Sequence, residues 1–224
     1  MKKSEVIAKL QSFANPVNVA GMARYGINPK NTLGISIYIL RDIAKEIGKD
    51  DGLADELWAS GIHEARILAS YIADPGKTTE ERMESWAADF DSWDVCDQVC
   101  SLFEETPYAY RKAVAWSERH EEFVKRAAFT IVAGLTVHDK KADDSQFEQF
   151  LVIIVRESSD DRNFVRKAVN WALRNIGKRN RRLNEKAIAT ARQIQQIDTR
   201  SARWIAADAL RELTAEKIQS KLRD

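Results

Sequence analysis

Trp93 and Asp97 are the residues of this sequence whose types and spacing best suit a chemical step. They lie in the stretch Asp-Ser-Trp-Asp-Val-Cys-Asp-Gln-Val-Cys at 91–100 and are four positions apart. On an α-helix this spacing places an indole ring and a carboxylate one turn apart on the same face. Asp97 falls in the second turn, too far from the helix start to cap it, so its charge needs another role. On spacing alone, the alternative stays open that Asp97 is a solvated charge and Trp93 a half-buried packing residue.

The other residues of this predicted helix have structural roles. Its other face is apolar and can pack against a core; it carries Val95, Cys96, Val99, Leu102 and Phe103. Asp91 precedes the first turn, and we expect it to cap the helix, with Asp94 in a similar local role. Cys96 and Cys100 lack the spaced partners of a zinc site, so we predict buried free thiols.

Other chemistries have little support in the sequence. His63, His120 and His138 are scattered without a ligand pattern, and no Ser/His/Asp or glycine-rich phosphate motif is present. We therefore predict no metal site and no cofactor. Any catalysis must use carboxylates, aromatic rings and arginine.

The composition is that of a folded protein. The chain has 224 residues, of which 44% are hydrophobic and 31% charged, enough to bury a substantial core. It contains no run of about 18 apolar residues, and its N-terminus lacks the apolar region of a signal peptide. We expect a soluble, cytoplasmic protein that does not bind membranes.

The charges are distributed unevenly, although the net charge is only +1. Residues 162–211 contain 13 Lys or Arg and 3 Asp or Glu, whereas residues 1–161 contain 19 and 28. A segment with this excess of cations is typical of a surface that binds a polyanion. A solvated helix face is the alternative, but such a face usually mixes both signs.

The sequence predicts an all-helical protein, because it has few glycines and prolines and no alternating strand pattern. We treat residues 1–224 as one domain with short connections between helices. The predicted helices cover 4–14, 16–25, 35–47, 53–60, 63–73, 80–90, 91 to before 107, 108–117, 123–137, 146–157, 163–176, 183–196, 201–213 and a tail from 215.

A weak internal repeat suggests how these helices stack. The segment Phe-Val-Lys-Arg-Ala-Ala-Phe at 123–129 aligns with Phe-Val-Arg-Lys-Ala-Val-Asn at 164–170, an offset of 41 residues, and 202–210 and 63–69 repeat the pattern. A period of about 40 in a helical chain is typical of HEAT-like repeats, whose helix pairs bury their apolar faces only by stacking. Each copy has a basic residue near the start of its second helix, namely Arg66, Arg126, Arg166 and Arg203.

Four blocks of the sequence together resemble the AlkD-type DNA alkylation repair glycosylases. They are Met-Ala-Arg-Tyr at 22–25, Asp-Ser-Trp-Asp-Val-Cys-Asp at 91–97, Phe-Val-Lys-Arg-Ala-Ala at 123–128 and Phe-Val-Arg-Lys-Ala-Val-Asn-Trp-Ala-Leu-Arg at 164–174. The resemblance implies a HEAT-like helical solenoid whose concave basic face holds double-stranded DNA. It also implies hydrolysis of the N-glycosidic bond of purines alkylated at N3 or N7, mainly 3-methyladenine and 7-methylguanine.

By position, the resemblance assigns roles to individual residues. Asp97 matches the catalytic carboxylate, Trp93 and Trp171 match two aromatic residues at the lesion, and Arg126 matches an arginine beside the carboxylate. Tyr25 matches a further aromatic in the cleft, although the loop after it departs from the family pattern. Lys125 is adjacent to Arg126 and would exchange with it on a shift of one residue. The other tryptophans, Trp58, Trp86, Trp116 and Trp204, are expected to pack.

The predicted partner is double-stranded DNA that contains alkylated bases, bound by a monomer. We expect its phosphates to contact a basic face formed by Arg126, Arg166, Lys167, Arg174, Lys178, Arg179 and Arg203. The alternative is a HEAT-repeat scaffold that binds DNA or an acidic protein without catalysis. The Trp93–Asp97 pair favours the enzyme, because a groove for an anionic partner does not need a carboxylate facing it.

Overall fold

The structure is a computed structural model that describes residues 1–223, and these form two compact units, residues 1–108 and residues 109–223. The first unit contains α1 (Lys3–Ser12), α2 (Pro16–Arg24), α3 (Ile37–Ile47), α4 (Asp51–Trp58), α5 (His63–Ile72), a 3-10 turn (Pro75–Lys77), α6 (Glu80–Ala88) and α7 (Trp93–Phe103). The second contains α8 (Ala109–Ser117), α9 (Glu122–His138), α10 (Asp144–Glu157), α11 (Asn163–Gly177), α12 (Arg181–Gln195), α13 (Arg200–Leu213) and α14 (Glu216–Gln219).

All the helices predicted from the sequence are present, with ends within two residues of the prediction in nearly every case, and residues 1–223 contain no strand. Local chemistry explains the boundaries. The Asn15 side chain accepts hydrogen bonds from the N–H groups of Val17 and Asn18, and Pro16 occupies the first turn of α2. Gly48 ends α3 with a φ of 76°, a conformation that other residues rarely adopt. The prediction of one domain over residues 1–224 stays a prediction.

The core of the first unit forms where α5 packs against α3, α4 and α7. Trp58 and Trp86 stack with their ring centres 4.2 Å apart, and Phe90 meets the edge of Trp58 at 6.2 Å. Cys96 and Cys100 are buried free thiols on α7, as predicted. This packing holds the buried face of α7 against the core, and so fixes the position of the helix.

The second unit is built around α9, which packs against both α8 and α11. The aligned residues of the repeat are neighbours in space, since the rings of Phe123 and Phe164 lie 5.6 Å apart. A Cβ atom on Gly177 would come within 2.9 Å of side-chain atoms of Leu213 and Ala187, so only glycine fits where α11, α12 and α13 meet. These contacts support the repeat inferred from the sequence.

Candidate active site

The first turn of α7 begins at Trp93, and Asp91 does not cap it. Ser92 is the N-cap residue but gives no side-chain cap; its hydroxyl accepts a hydrogen bond from the N–H of Asn28 at 2.9 Å. The Asp91 carboxylate accepts from the Asn28 side-chain amide at 2.8 Å. The prediction for Asp91 was wrong because both polar side chains before the helix bind a distant loop instead of the helix end.

Trp93 and Tyr25 contact each other in the structure. The indole Nε1–H of Trp93 donates to the backbone carbonyl of Tyr25 at 3.1 Å. Trp93 is half-buried, whereas the Tyr25 side chain is 74% exposed. The indole is therefore held by its N–H, and an exposed aromatic ring lies at the same edge of the first unit.

Asp97 lies one turn beyond Trp93 on α7, as the spacing predicts, and it is partly buried. Its carboxylate faces a local environment that includes the fully buried Cys100. Burial, with smaller contributions from Cys96 and the charge of Asp97, raises the pKa of the Cys100 thiol. Cys100 is thus a neutral thiol at physiological pH.

Asp94, the second residue of α7, pairs with a buried histidine. His63 is 4% exposed, and its Nε2 lies 2.9 Å from Oδ2 of Asp94. Burial by itself lowers the pKa of His63, but the hydrogen bond and charge of Asp94 outweigh burial, so the pKa of His63 lies above its ordinary value. The sequence reasoning missed this pair because the residues are 31 positions apart.

A cavity of about 580 Å³ opens beside Trp93 within the first unit. Its walls come from α2, the segment 25–37 and the first turns of α5 and α7, and they are mostly apolar. The lining residues include Val17, Met22, Tyr25, Ile35, His63, Ile67, Trp93 and Asp94. Asp97 does not line this cavity, so the predicted catalytic carboxylate and the cavity mouth are separate features of α7.

The remaining predicted residues belong to the second unit. Arg126 and Lys125 are both buried on α9, with 6% and 9% exposure. The Arg126 guanidinium donates to the Phe164 carbonyl at 2.7 Å. The Lys125 ammonium lies 2.5 Å from Glu157 and 3.8 Å from Asp160. Both cations are therefore buried and engaged by protein groups, and the match of Arg126 or Lys125 to the family arginine stays a prediction.

Trp171 is half-buried in α11. A neighbouring aromatic differs from expectation, because Trp204 is 37% exposed and the Arg166 guanidinium lies 5.2 Å above its ring. This geometry is a cation–π contact rather than core packing. The packing prediction is right for Trp58, Trp86 and Trp116, which are buried, and wrong for Trp204.

The predicted basic residues are engaged to different degrees. Lys167 is exposed, and Arg203 is exposed beside Asp198. Arg174 and Lys178 both bind Glu212, the latter at 2.9 Å. Arg179 donates to the carbonyls of Thr136 and Ala142 at 2.9 Å each. Lys167 and Arg203 are the most exposed members of the set, and Arg203 is paired with Asp198. The basic face itself stays a prediction.

A second cavity, of about 840 Å³ and within the second unit, is rich in cations. Five basic residues line it, namely Lys140, Lys178, Arg179, Lys221 and Arg223, together with Asp144, whose carboxylate accepts from Asn180 at 2.8 Å. The Arg223 carbonyl accepts from the N–H of Arg181, which holds the tail against the start of α12. Lys140, Lys221 and Arg223 were not among the predicted basic residues, because all three lie outside the cationic segment 162–211.

Two further findings on the described residues concern metal sites and membrane spans. Among residues 1–223, no group of three or more His, Cys, Asp or Glu side chains is arranged to hold a metal ion. Over the same residues, no helix combines the length and the hydropathy needed to cross a membrane.

Comparison with known proteins identifies the family of the chain and a solved structure with a similar fold. Residues 6–213 match the family model described as DNA alkylation repair enzyme. A solved structure with a TM-score of 0.79 is 20% identical and covers 95% of each chain; it belongs to a new family of proteins related to the HEAT-like repeat DNA glycosylases, with affinity for branched DNA structures. This likeness shows that the chain has the all-α, HEAT-like repeat fold predicted from the sequence.

The other similar structures are more distant. An engineered protein is 14% identical, covers 78% of this chain and 90% of its own, and has a TM-score of 0.39. A designed armadillo repeat protein is 16% identical, covers 78% and 92%, and has a TM-score of 0.37. No curated protein sequence matches the chain.

Proposed function

Because the chain belongs to the DNA alkylation repair enzyme family, we propose that it is a DNA glycosylase that removes N3- or N7-alkylated purines from double-stranded DNA. The observation that carries this proposal is on α7. Trp93 is anchored to the Tyr25 carbonyl at 3.1 Å, and the partly buried Asp97 follows one turn later on the same helix. An oriented aromatic ring and a nearby carboxylate suit a cationic substrate.

The chemistry needs few protein groups because the substrate is already activated. A purine alkylated at N3 or N7 is positively charged and leaves without a general acid. The sugar then develops oxocarbenium character in the transition state. We assign to Asp97 the stabilisation of this charge and the orientation of the attacking water.

The aromatic and basic residues support that step. Trp93 and Trp171 offer their π faces to the cationic base and sugar, a contribution of about 0.5–2 kcal/mol each. We assign to Arg126 the binding of a phosphate near the lesion. Tyr25 is a further aromatic at the edge of the cleft.

DNA binding in this proposal depends mainly on phosphate contacts. Lys167 and Arg203 are exposed on α11 and α13, and Arg166, Arg174, Lys178 and Arg179 lie on or just after α11. Such contacts are independent of base sequence. The protein would act as a monomer and without a cofactor.

The test is release of free base from methylated double-stranded DNA by the purified protein. We expect 7-methylguanine and 3-methyladenine to be released and abasic sites to remain, with no added metal or nucleotide. Asp97→Asn keeps the shape of the side chain and removes its charge. Excision should slow by roughly 10²–10³-fold, the effect of removing one electrostatic stabiliser of about 2.7–4 kcal/mol.

Binding and folding controls separate the outcomes of that test. Asp97→Asn should bind undamaged DNA as well as the wild type does, and Glu105→Gln, a matched change at an exposed carboxylate just after α7, should leave excision unchanged. Excision by Asp97→Asn at the wild-type rate would assign the chemistry to another residue. A wild type that binds DNA but releases no base would instead support the non-catalytic DNA-binding alternative.

A further inference from the structure

His63 contacts two segments of the first unit that are far apart in the sequence. Its backbone N–H donates to the carbonyl of Asn31 at 3.0 Å, and its ring Nε2 lies 2.9 Å from the Asp94 carboxylate. The first contact holds the loop that follows α2. The second holds the first turn of α7. A single buried residue therefore fixes the loop and the helix relative to each other.

These two segments carry the partners of the Trp93–Tyr25 hydrogen bond. Tyr25 lies at the start of the loop and Trp93 immediately precedes Asp94. Asn28 strengthens the same junction, since it donates to Ser92 and to Asp91. Because α7 has no side-chain cap of its own, the position of the indole depends on this junction.

The charges around His63 favour its protonated form. Asp94 contacts the ring directly, and Glu64 and Asp91 add negative charge nearby. The Glu64 carboxylate already accepts three backbone N–H groups, from Leu33, Gly34 and Ile35. Across the cavity, Tyr25 is the one titratable residue among the described lining residues of α2 and the segment 25–37. No cation in the described lining opposes protonation of His63.

We propose that His63 is a positioning residue for Trp93, and that its protonated ring, paired with Asp94, locks the indole in the orientation used for base excision. The inference rests on the proposed glycosylase function. When His63 loses its proton, its ring N–H can still donate to the Asp94 carboxylate but the attraction between opposite charges is lost, so the lock weakens without being removed. Excision should fall roughly threefold to tenfold as the pH rises through the titration of His63.

The sign of this pH dependence follows from the shift in the pKa of His63. Because the folded-state pKa is raised, the ion pair is fully formed below the ordinary pKa of histidine and is lost as the pH rises through the folded value. The same dependence applies to the stability of the junction. Acidic conditions therefore favour the locked indole.

One experiment reads the position of Trp93 directly and does not require activity. The full chain is labelled with ¹⁵N-tryptophan, and the indole N–H signals are followed over about pH 5 to 9, the range in which histidines titrate. Trp93→Phe identifies the Trp93 signal. In the wild type this signal should shift with one midpoint above the ordinary histidine value. In His63→Gln, which keeps a neutral donor toward Asp94, the shift should disappear.

His120→Gln, a change at an exposed histidine, is the matched control and should leave the titration of the Trp93 signal intact. A wild-type Trp93 signal that does not move with pH, or that moves equally in His63→Gln, overturns the inference whatever the activity of the protein. The titration of the Trp93 signal also distinguishes a positioning role of His63 from a purely structural one. A mutation that only destabilised the fold would not remove the pH dependence of this one indole signal.

The second experiment measures single-turnover excision over the same pH range. The wild-type rate should fall as His63 loses its proton, the His63→Gln rate should be independent of that titration, and His63→Ala should be slow throughout. Identical pH profiles for the wild type and His63→Gln overturn the inference. If the wild type releases no base at any pH, the proposed function fails, and the indole titration still decides the role of His63.

Discussion

Glu64 holds the segment after Asn31 with a single buried carboxylate, and its replacement by glutamine should destabilise the first unit. The side chain is 1% exposed. Oε1 accepts from the N–H groups of Gly34 at 2.7 Å and Ile35 at 3.2 Å, and Oε2 accepts from Leu33 at 2.8 Å. The segment also requires a glycine at position 34, because its φ is +78° and a Cβ there would lie 2.3 Å from the Asn15 carbonyl oxygen.

The expected loss of stability follows from the three hydrogen bonds that the Glu64 carboxylate accepts. Glutamine can keep its carbonyl oxygen at the Oε1 position, but its NH₂ group then faces the Leu33 N–H, so two donors oppose each other. An unsatisfied donor costs about 1–3 kcal/mol. The two remaining bonds lose their charge assistance, which costs about 0.5–1.5 kcal/mol each. We therefore expect Glu64→Gln to lower the free energy of unfolding by about 2–6 kcal/mol.

Urea denaturation and amide hydrogen exchange measure this effect. The denaturation midpoint of the first unit should fall, and the Gly34 and Ile35 amides should exchange faster than in the wild type. Glu105→Gln is the control for loss of an exposed carboxylate. Unchanged exchange at Gly34 together with an unchanged midpoint would refute the view that this carboxylate is what fixes the segment.

Two more predictions concern charge. Burial by itself raises the pKa of Asp160, but the hydrogen bonds with Arg162 outweigh burial and leave the pKa lowered. Asp160 therefore stabilises the second unit at neutral pH, and this stabilisation is lost as the pH falls through the folded-state pKa. The melting temperatures of Asp160→Asn and the wild type should differ most near neutral pH and converge in acid, and a difference that is constant with pH would contradict this. If about five phosphates are neutralised, the logarithm of DNA affinity should fall with the logarithm of salt concentration with a slope of about −4.5. Fluorescence anisotropy measures this slope, and DNA binding that is independent of salt would favour the alternative of a scaffold that binds an acidic protein.

Features set by neighbouring residues could be predicted from the sequence. Helix positions followed from apolar periodicity, and the alignment of Phe123 with Phe164, whose rings are neighbours in the structure, followed from the repeat. These signals lie within one helix or recur at a fixed offset. The family blocks then identified the family that the chain belongs to.

Features set by distant partners could not be predicted. Asp91 is a residue type that commonly caps a helix, but its carboxylate accepts a hydrogen bond from Asn28, more than 60 positions earlier. His63 looks like an isolated histidine until the fold brings Asp94 to its ring. Trp204 has the apolar surroundings of a packing residue, yet it is exposed beneath Arg166. In each case the decisive neighbour comes from another helix or loop, and helical periodicity carries no information about it.

The side chains that link successive repeats of the second unit also affect how that unit unfolds. Arg126 reaches the Phe164 carbonyl, Asn175 reaches the Ala133 carbonyl and Arg179 reaches the Thr136 carbonyl. Each bond spans about one repeat, and each ties α9 to α11 or to the residues just after it. In a linear array of repeats, cooperativity depends on the free energy of the interfaces between neighbours rather than on the stability of each repeat. These cross-links raise the interface contribution, so α9 and α11 should melt together as one cooperative block rather than fraying one repeat at a time.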